Sequence, residues 1–205
     1  MHLFERLEPI QKRWDVLKHP FYVRWERGEL SSEELAYYAG QYRHAVVALS
    51  QAAATAGEHA DEETAHVDLW DDFAHAADAQ PAAEPRAETA ECARAWTSGS
   101  DDLEALAILY AVESAQPAIS ATKLTGLLEH YGFEDGPETA YFIVHASLDH
   151  EHAAEARAAL EQRAKPEDED RLAAAAERAL AGNWTLLDGV EREFGEPERD
   201  LSGVS

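Results

Sequence analysis

The chain has 205 residues, with 41 Asp and Glu against 17 Lys and Arg, for a formal net charge of −24. That balance argues against nucleic acid or an anionic membrane surface as a partner, because either would be repelled. A single cysteine, Cys92, excludes an intrachain disulfide and points to a reducing compartment.

The segment MHLFERLEPIQ lacks the apolar stretch of a signal peptide, and no apolar run approaches the ~18 residues of a membrane span. A cytoplasmic protein is therefore expected. The acidity, with only four lysines, suits a salt-adapted source and equally serves solubility.

Apolar residues recur at three and four, and strand-like alternation is absent, so an all-α fold is expected. The pattern predicts helices over 2–18, 20–28, 32–57, 59–78, 84–97, 101–130, 136–164 and 167–194. SSEE at 31–34 reads as a serine cap with acids in the first turn, and SGSDD at 98–102 as another. QPAAEP at 80–85 reads as a loop, and YGFEDGP at 131–137 as the end of one helix and the start of the next. One domain of seven to eight helices over 1–195 is expected, with 196–205 as a frayed tail.

Three of these helices carry candidate metal ligands. In EHADEETAHVDLWDDF (58–73), Glu62 and Glu63 precede His66 by four and three residues. Either can share its helix face, and E-x-x-H is a carboxylate–imidazole spacing used in di-iron bundles. The helix 101–130 is apolar in its middle yet holds Glu113, a carboxylate that needs a cation or hydrogen bonds if buried. Pro117 removes the backbone hydrogen bond to the Glu113 carbonyl, so a kink is expected beside the acid. In HASLDHEH (145–152), His145, Asp149 and His152 fall within roughly 60° of one another on a helix. Three imidazoles with Glu113, Asp149 and Glu62 or Glu63 could hold two octahedral metal ions. Without a thiolate, the set suits iron or manganese better than structural zinc. The plainer alternative is a solvated acidic surface with incidental histidines.

The runs HPFYVRWERGELSSEELAYYAGQYRHAV (19–46), HVDLWDDF (66–73), LYAVESAQPAISATKLTGLLEHYGF (109–133) and ETAYFIVHASLDHEHA (138–153) resemble the TenA/PqqC-like superfamily of haem-oxygenase fold. Within it they are most similar to the CADD-type 4-aminobenzoate synthases of the di-iron oxidase branch. The resemblance weakens after about residue 164. It implies a haem-oxygenase-like bundle and a dinuclear Fe or Fe/Mn centre, with O₂ as co-substrate and an external reductant. It also implies a homodimer or larger homo-oligomer.

The family's ligands fall on His66, Glu113, His145, Asp149 and His152. The sixth departs from the pattern, because the helix that carries it looks shorter here between about residues 50 and 60. Glu63, favoured by E-x-x-H spacing, and Glu62 are the nearest matches.

The resemblance further implies that 4-aminobenzoate, for folate synthesis, is made by excising one of the protein's own tyrosine side chains. Tyr22 falls on the consumed tyrosine and Lys123 on the nitrogen donor. By its residues alone, Tyr22 reads as a core aromatic beside Phe21 and Trp25. Lys123 reads either as a snorkelling stem or as a desolvated amine of lowered pKa. Tyr38, Tyr42 and Tyr110 are candidate supporting donors or radical relays, and His19 and His44 either line the cavity or cap and pack. The alternative functions are a related di-iron oxidase acting on an external amino acid or fatty acid, a TenA-like thiamine-degrading hydrolase needing a nucleophilic cysteine, and a non-enzymatic interaction protein.

Overall fold

The computed structural model describes residues 2–80 and 83–194; the side chains of Leu148 and Asp149 lie outside what it describes. Among the described residues every regular element is helical. The α-helices are α1 (Leu3–Arg13), α2 (Pro20–Glu26), α3 (Ser32–Ala56), α4 (Ala60–Ala76), α5 (Ala87–Trp96), α6 (Asp102–Glu113), α7 (Gln116–His130), α8 (Ala140–Arg163) and α9 (Glu169–Phe194). Short 3₁₀ turns at Val16–Lys18 and Pro137–Thr139 precede α2 and α8.

The expected count of seven to eight helices becomes nine among the described residues, because the stretch predicted as 101–130 is two helices. α6 stops at Glu113 and α7 starts at Gln116 with Pro117 in its first turn. Proline has no N–H to give the Glu113 carbonyl, and its ring crowds that carbonyl, so the chain breaks where only a kink was expected. The first helix also ends early. Asp15 accepts a hydrogen bond from Leu17 N and turns the chain into a 3₁₀ segment before His19 caps α2.

Ser31 caps α3 in a reciprocal box with Glu34, but α6 is capped by Asp101, whose carboxylate accepts from Glu104 N, and not by a serine. Within the expected loop 80–85, residues 81 and 82 lie outside the described residues, as does the tail 196–205.

α6 is buried along its whole length after the first residue, so its periodicity carries no amphipathic signal; it is a central rod rather than a surface helix. α3, α8 and α9 pack around α6, with α4 against α3, α5 between α3 and α9, and α7 along α8. The described helices include none long and apolar enough to cross a membrane.

Candidate metal centre and lysine cage

The helices α4, α6 and α8 bring Glu63, His66, Glu113, His145 and His152 together, and all five are at least nine-tenths buried. The ligand atoms of Glu63, His66 and His145 lie within 4.8 Å of one another, as do those of Glu63, Glu113 and His152. Glu63 belongs to both groups. Glu62 stands at the outer edge, with 41% of its side chain exposed and Oε2 3.5 Å from His152 Nε2. Asp149 lies on α8 between His145 and His152, but its side chain is outside the described residues.

Local contacts orient these groups. His145 Nδ1 donates to the Tyr141 carbonyl at 2.7 Å. The proton is thereby held on that nitrogen, and Nε2 is left with its lone pair. The Tyr141 ring stacks on His145 with centroids 3.9 Å apart. His66 Nδ1 is 3.2 Å from Glu63 Oε1, and the His66 ring meets His145 edge-on at 4.4 Å. Burial, the neighbouring His66 and the Lys123 charge push the His145 pKa down to about 4, against weaker opposition from the Tyr141 hydrogen bond and Glu63. Burial pushes the Glu63 carboxyl up, but His66, His145 and His152 together bring it below its ordinary range.

These residues fit a metal. Among the described residues, His145 Nε2 and His152 Nδ1 are buried without a hydrogen-bond partner. Imidazoles and carboxylates without thiolate form a donor set suited to iron or manganese. A buried polar nitrogen left unpaired costs about 1–3 kcal/mol, which ligation would recover.

Sequence reasoning missed His59. It sits at the N-terminus of α4 with φ of +45° and stacks on His152 at 4.1 Å. Its Nε2 lies 2.9 Å from Glu155, so it roofs the cluster on the solvent side. Its position two turns before His66 was the available signal.

Lys123, on α7, is fully buried. Its Nζ has no hydrogen-bond partner among the described residues. The amine faces five rings: Tyr42 at 4.4 Å, Tyr22 at 5.4 Å, Tyr38 and Trp70 at 5.6 Å, and Phe142 at 5.8 Å from their centroids. Desolvation pushes its pKa down to about 7. The stem does not snorkel. Tyr22 is buried on α2 with its hydroxyl 2.9 Å from that of Tyr38, and burial raises both phenols far above their ordinary pKa.

Rings join the cage to the metal cluster, since Trp70 contacts Tyr38 at 6.1 Å and Tyr141 at 4.9 Å, and Tyr141 stacks on His145. Tyr38 and Tyr42 thus belong to the cage. Tyr110 does not; it packs edge-on against Phe4. His19 caps α2 and reaches Asp188, while His44 bonds the Ala83 carbonyl, so both have structural partners. Cys92 is fully buried and its thiol pKa is raised by burial, the opposite of an activated nucleophile.

Residues 42–184 match the family described as iron-containing redox enzymes. The chain is 29% identical over 212 residues to a 4-aminobenzoate synthase of Chlamydia trachomatis serovar D, covering 92% of this chain and 91% of the relative. It is also 29% identical over 224 residues to a 4-aminobenzoate synthase of Nitrosomonas europaea, covering 93% and 91%.

Among solved structures, a haem-oxygenase-like domain of unknown function from Shewanella denitrificans superimposes with a TM-score of 0.77 at 18% identity, covering 95% of this chain and 94% of that one. A TenA homologue from P. horikoshii gives 0.75 at 16% identity, covering 94% and 99%. With the haem-oxygenase-like fold shared at that level and the family match spanning the candidate metal ligands and Lys123, though not Tyr22 or Tyr38, the chain belongs to the iron-containing redox enzymes.

Proposed function

We propose that this enzyme is an oxygen-dependent 4-aminobenzoate synthase with a dinuclear iron or iron–manganese centre, and that it consumes its own Tyr22. Glu63, His66 and His145 would hold one ion, and Glu63, Glu113 and His152 the other. Asp149, which the resemblance adds to the set, lies on α8 between His145 and His152. Bound there, the metal pair would supply the oxidising power for O₂-dependent attack on an aromatic ring, with electrons from an external reductant.

The observation that carries this reading is the Lys123 amine, buried without a partner and 5.4 Å from the centroid of the Tyr22 ring. A lysine whose pKa is pushed down to about 7 holds a substantial neutral fraction near neutrality, so a nitrogen lone pair is available to bond to carbon. The Tyr22–Tyr38 hydrogen bond fixes the ring to be consumed. The surrounding Trp70, Tyr42 and Phe142 keep water from the amine. His145, its Nδ1 proton held by the Tyr141 carbonyl, presents Nε2 to the metal side.

The test is to load reduced, metal-free protein with Fe(II), admit O₂, and compare intact mass and peptide maps before and after. A mass loss at Tyr22 with a modification at Lys123 is expected. An unchanged protein that binds iron and consumes O₂ would move the reading to an external amino-acid or fatty-acid substrate, and turnover by Tyr22→Phe would identify that case.

A further inference from the structure

Outside the five enclosed residues of the metal cluster lies a second group of side chains that the proposed centre does not use. His59, Glu62 and His152 each place one ligand atom within 4.8 Å of the others. His59 is the residue before α4, Glu62 follows one turn later, and His152 comes from α8. Glu155, one turn beyond His152, adds a carboxylate whose Oε2 is 2.9 Å from His59 Nε2. Exposure rises outward, from 7% of the His152 side chain through 28% for His59 and 41% for Glu62 to 62% for Glu155. His152 is shared, since it also belongs to the buried group with Glu63 and Glu113.

These side chains are close without being well bonded. His59 Nε2 is shielded from solvent yet out of line for a hydrogen bond with Glu155, and Nδ1 stands 3.9 Å from Glu62 Oε2. His152 Nε2 is 3.5 Å from the same oxygen, beyond a good hydrogen bond. Its buried Nδ1 has no partner among the described residues. Hydrogen bonding therefore does not account for two imidazoles and two carboxylates converging here. A metal ion does. The ligand atoms around one such ion stand about 3–4 Å apart, so a small rotation of the half-exposed Glu62 closes the set. Asp61 and Glu62 in the first turn of α4 offset the positive end of that helix, which would otherwise repel a cation. Imidazoles beside carboxylates suit a divalent transition metal better than magnesium or calcium.

We infer that His59, Glu62 and His152, with Glu155 beside them, form an outer transition-metal site that captures ions and passes them to the buried pair. The inference rests on the reading of the buried residues as a dinuclear centre. The carboxylates on the exposed rim draw a hydrated cation from solution, and the imidazoles replace part of its water. Because His152 serves both groups, the ion moves inward by exchanging His59 and Glu62 for Glu63 and Glu113 while one protein ligand stays bound. The rival role for His59 is a plain lid, its ring stacked on His152.

The test is stopped-flow uptake of Co(II), followed by visible absorption, into the metal-free full chain under argon. The uptake rate should rise with Co(II) concentration and then level off, as capture before transfer requires. Two variants remove the outer ligands: Glu62→Gln, which keeps the side-chain shape, and His59→Gly, which accepts the φ of +45° at that position. In both, the levelling should disappear and uptake should slow by about tenfold or more, while the final two ions per chain are kept. Faster uptake by His59→Gly would identify the ring as a lid and overturn the inference. If His59→Gly fails to fold, Glu62→Gln decides. Uptake of two ions at a rate proportional to Co(II) and unchanged in Glu62→Gln would sink this inference alone. A single weakly held ion that needs His59 and Glu62, with none bound at Glu63, would keep the outer site and sink the dinuclear reading.

Discussion

Replacing Lys123 by Met should stabilise the protein at neutral pH, by an amount that varies with pH in a defined way. The amine is fully buried and its pKa is pushed down to about 7 from an ordinary value of 10.5. At about 1.4 kcal/mol per unit, such a shift corresponds to roughly 5 kcal/mol of cost to the folded state.

For a lysine depressed by folding, the penalty is fully present below the folded pKa. It shrinks as pH rises toward the unfolded value and vanishes above it. The advantage of Lys123→Met should therefore be flat, at roughly 5 kcal/mol, below about pH 7. It should fall by about 1.4 kcal/mol per unit above that and be gone near pH 10.5. Urea unfolding of both proteins in chelator, at unit steps from pH 6 to pH 10, measures it. A difference that does not change with pH, or a variant less stable than the parent throughout, would refute the account of Lys123 as a desolvated amine.

The shared position of Glu63 predicts that Glu63→Ala loses most of its iron, whereas Glu62→Ala, at the outer edge, retains most of it; the metal-to-protein ratio by elemental analysis decides. Tyr22→Phe should keep its iron, show no oxidation-dependent mass loss, and lose about 1 kcal/mol of stability with the bond to Tyr38, as read by mass spectrometry and chemical denaturation. Gly126→Ala would place a methyl 2.6 Å from Trp25 Cδ1 and Nε1, beside the bond from Trp25 to the Lys123 carbonyl. A loss of about 1–3 kcal/mol in chemical denaturation is expected, and an unchanged midpoint would show that Trp25 moves freely.

Much of the metal cluster was legible because its spacing is local. His145 and His152 share a face of α8 by helical arithmetic, Glu63 and His66 share one of α4, and Glu113 stood out as a carboxylate in an apolar run. The lysine cage was not legible in the same way. Its rings come from α2, α3, α4 and α8, and nothing in the sequence near Lys123 announces that Tyr42, Trp70 and Phe142 will surround it; only the resemblance picked out Tyr22 and Lys123. His59 escaped because it stands at the start of α4 in a left-handed conformation, and its spacing to His66 does not say that its ring stacks on His152.

Glu113 and Lys123 are ten residues apart. On one unbroken helix they would be about 15 Å apart along the axis and roughly 80° apart around it, a poor arrangement for two groups that must attend the same small volume. The interruption at Ser114–Ala115 removes that constraint. Glu113 ends one rod and Lys123 rides on another, and both come to bear on the α8 face that carries His145. A change at Pro117 that restored a continuous rod would thus separate carboxylate from amine without altering either residue. The spacing between the Glu113 carboxylate and the Lys123 amine is set, in that sense, by a break between two helices.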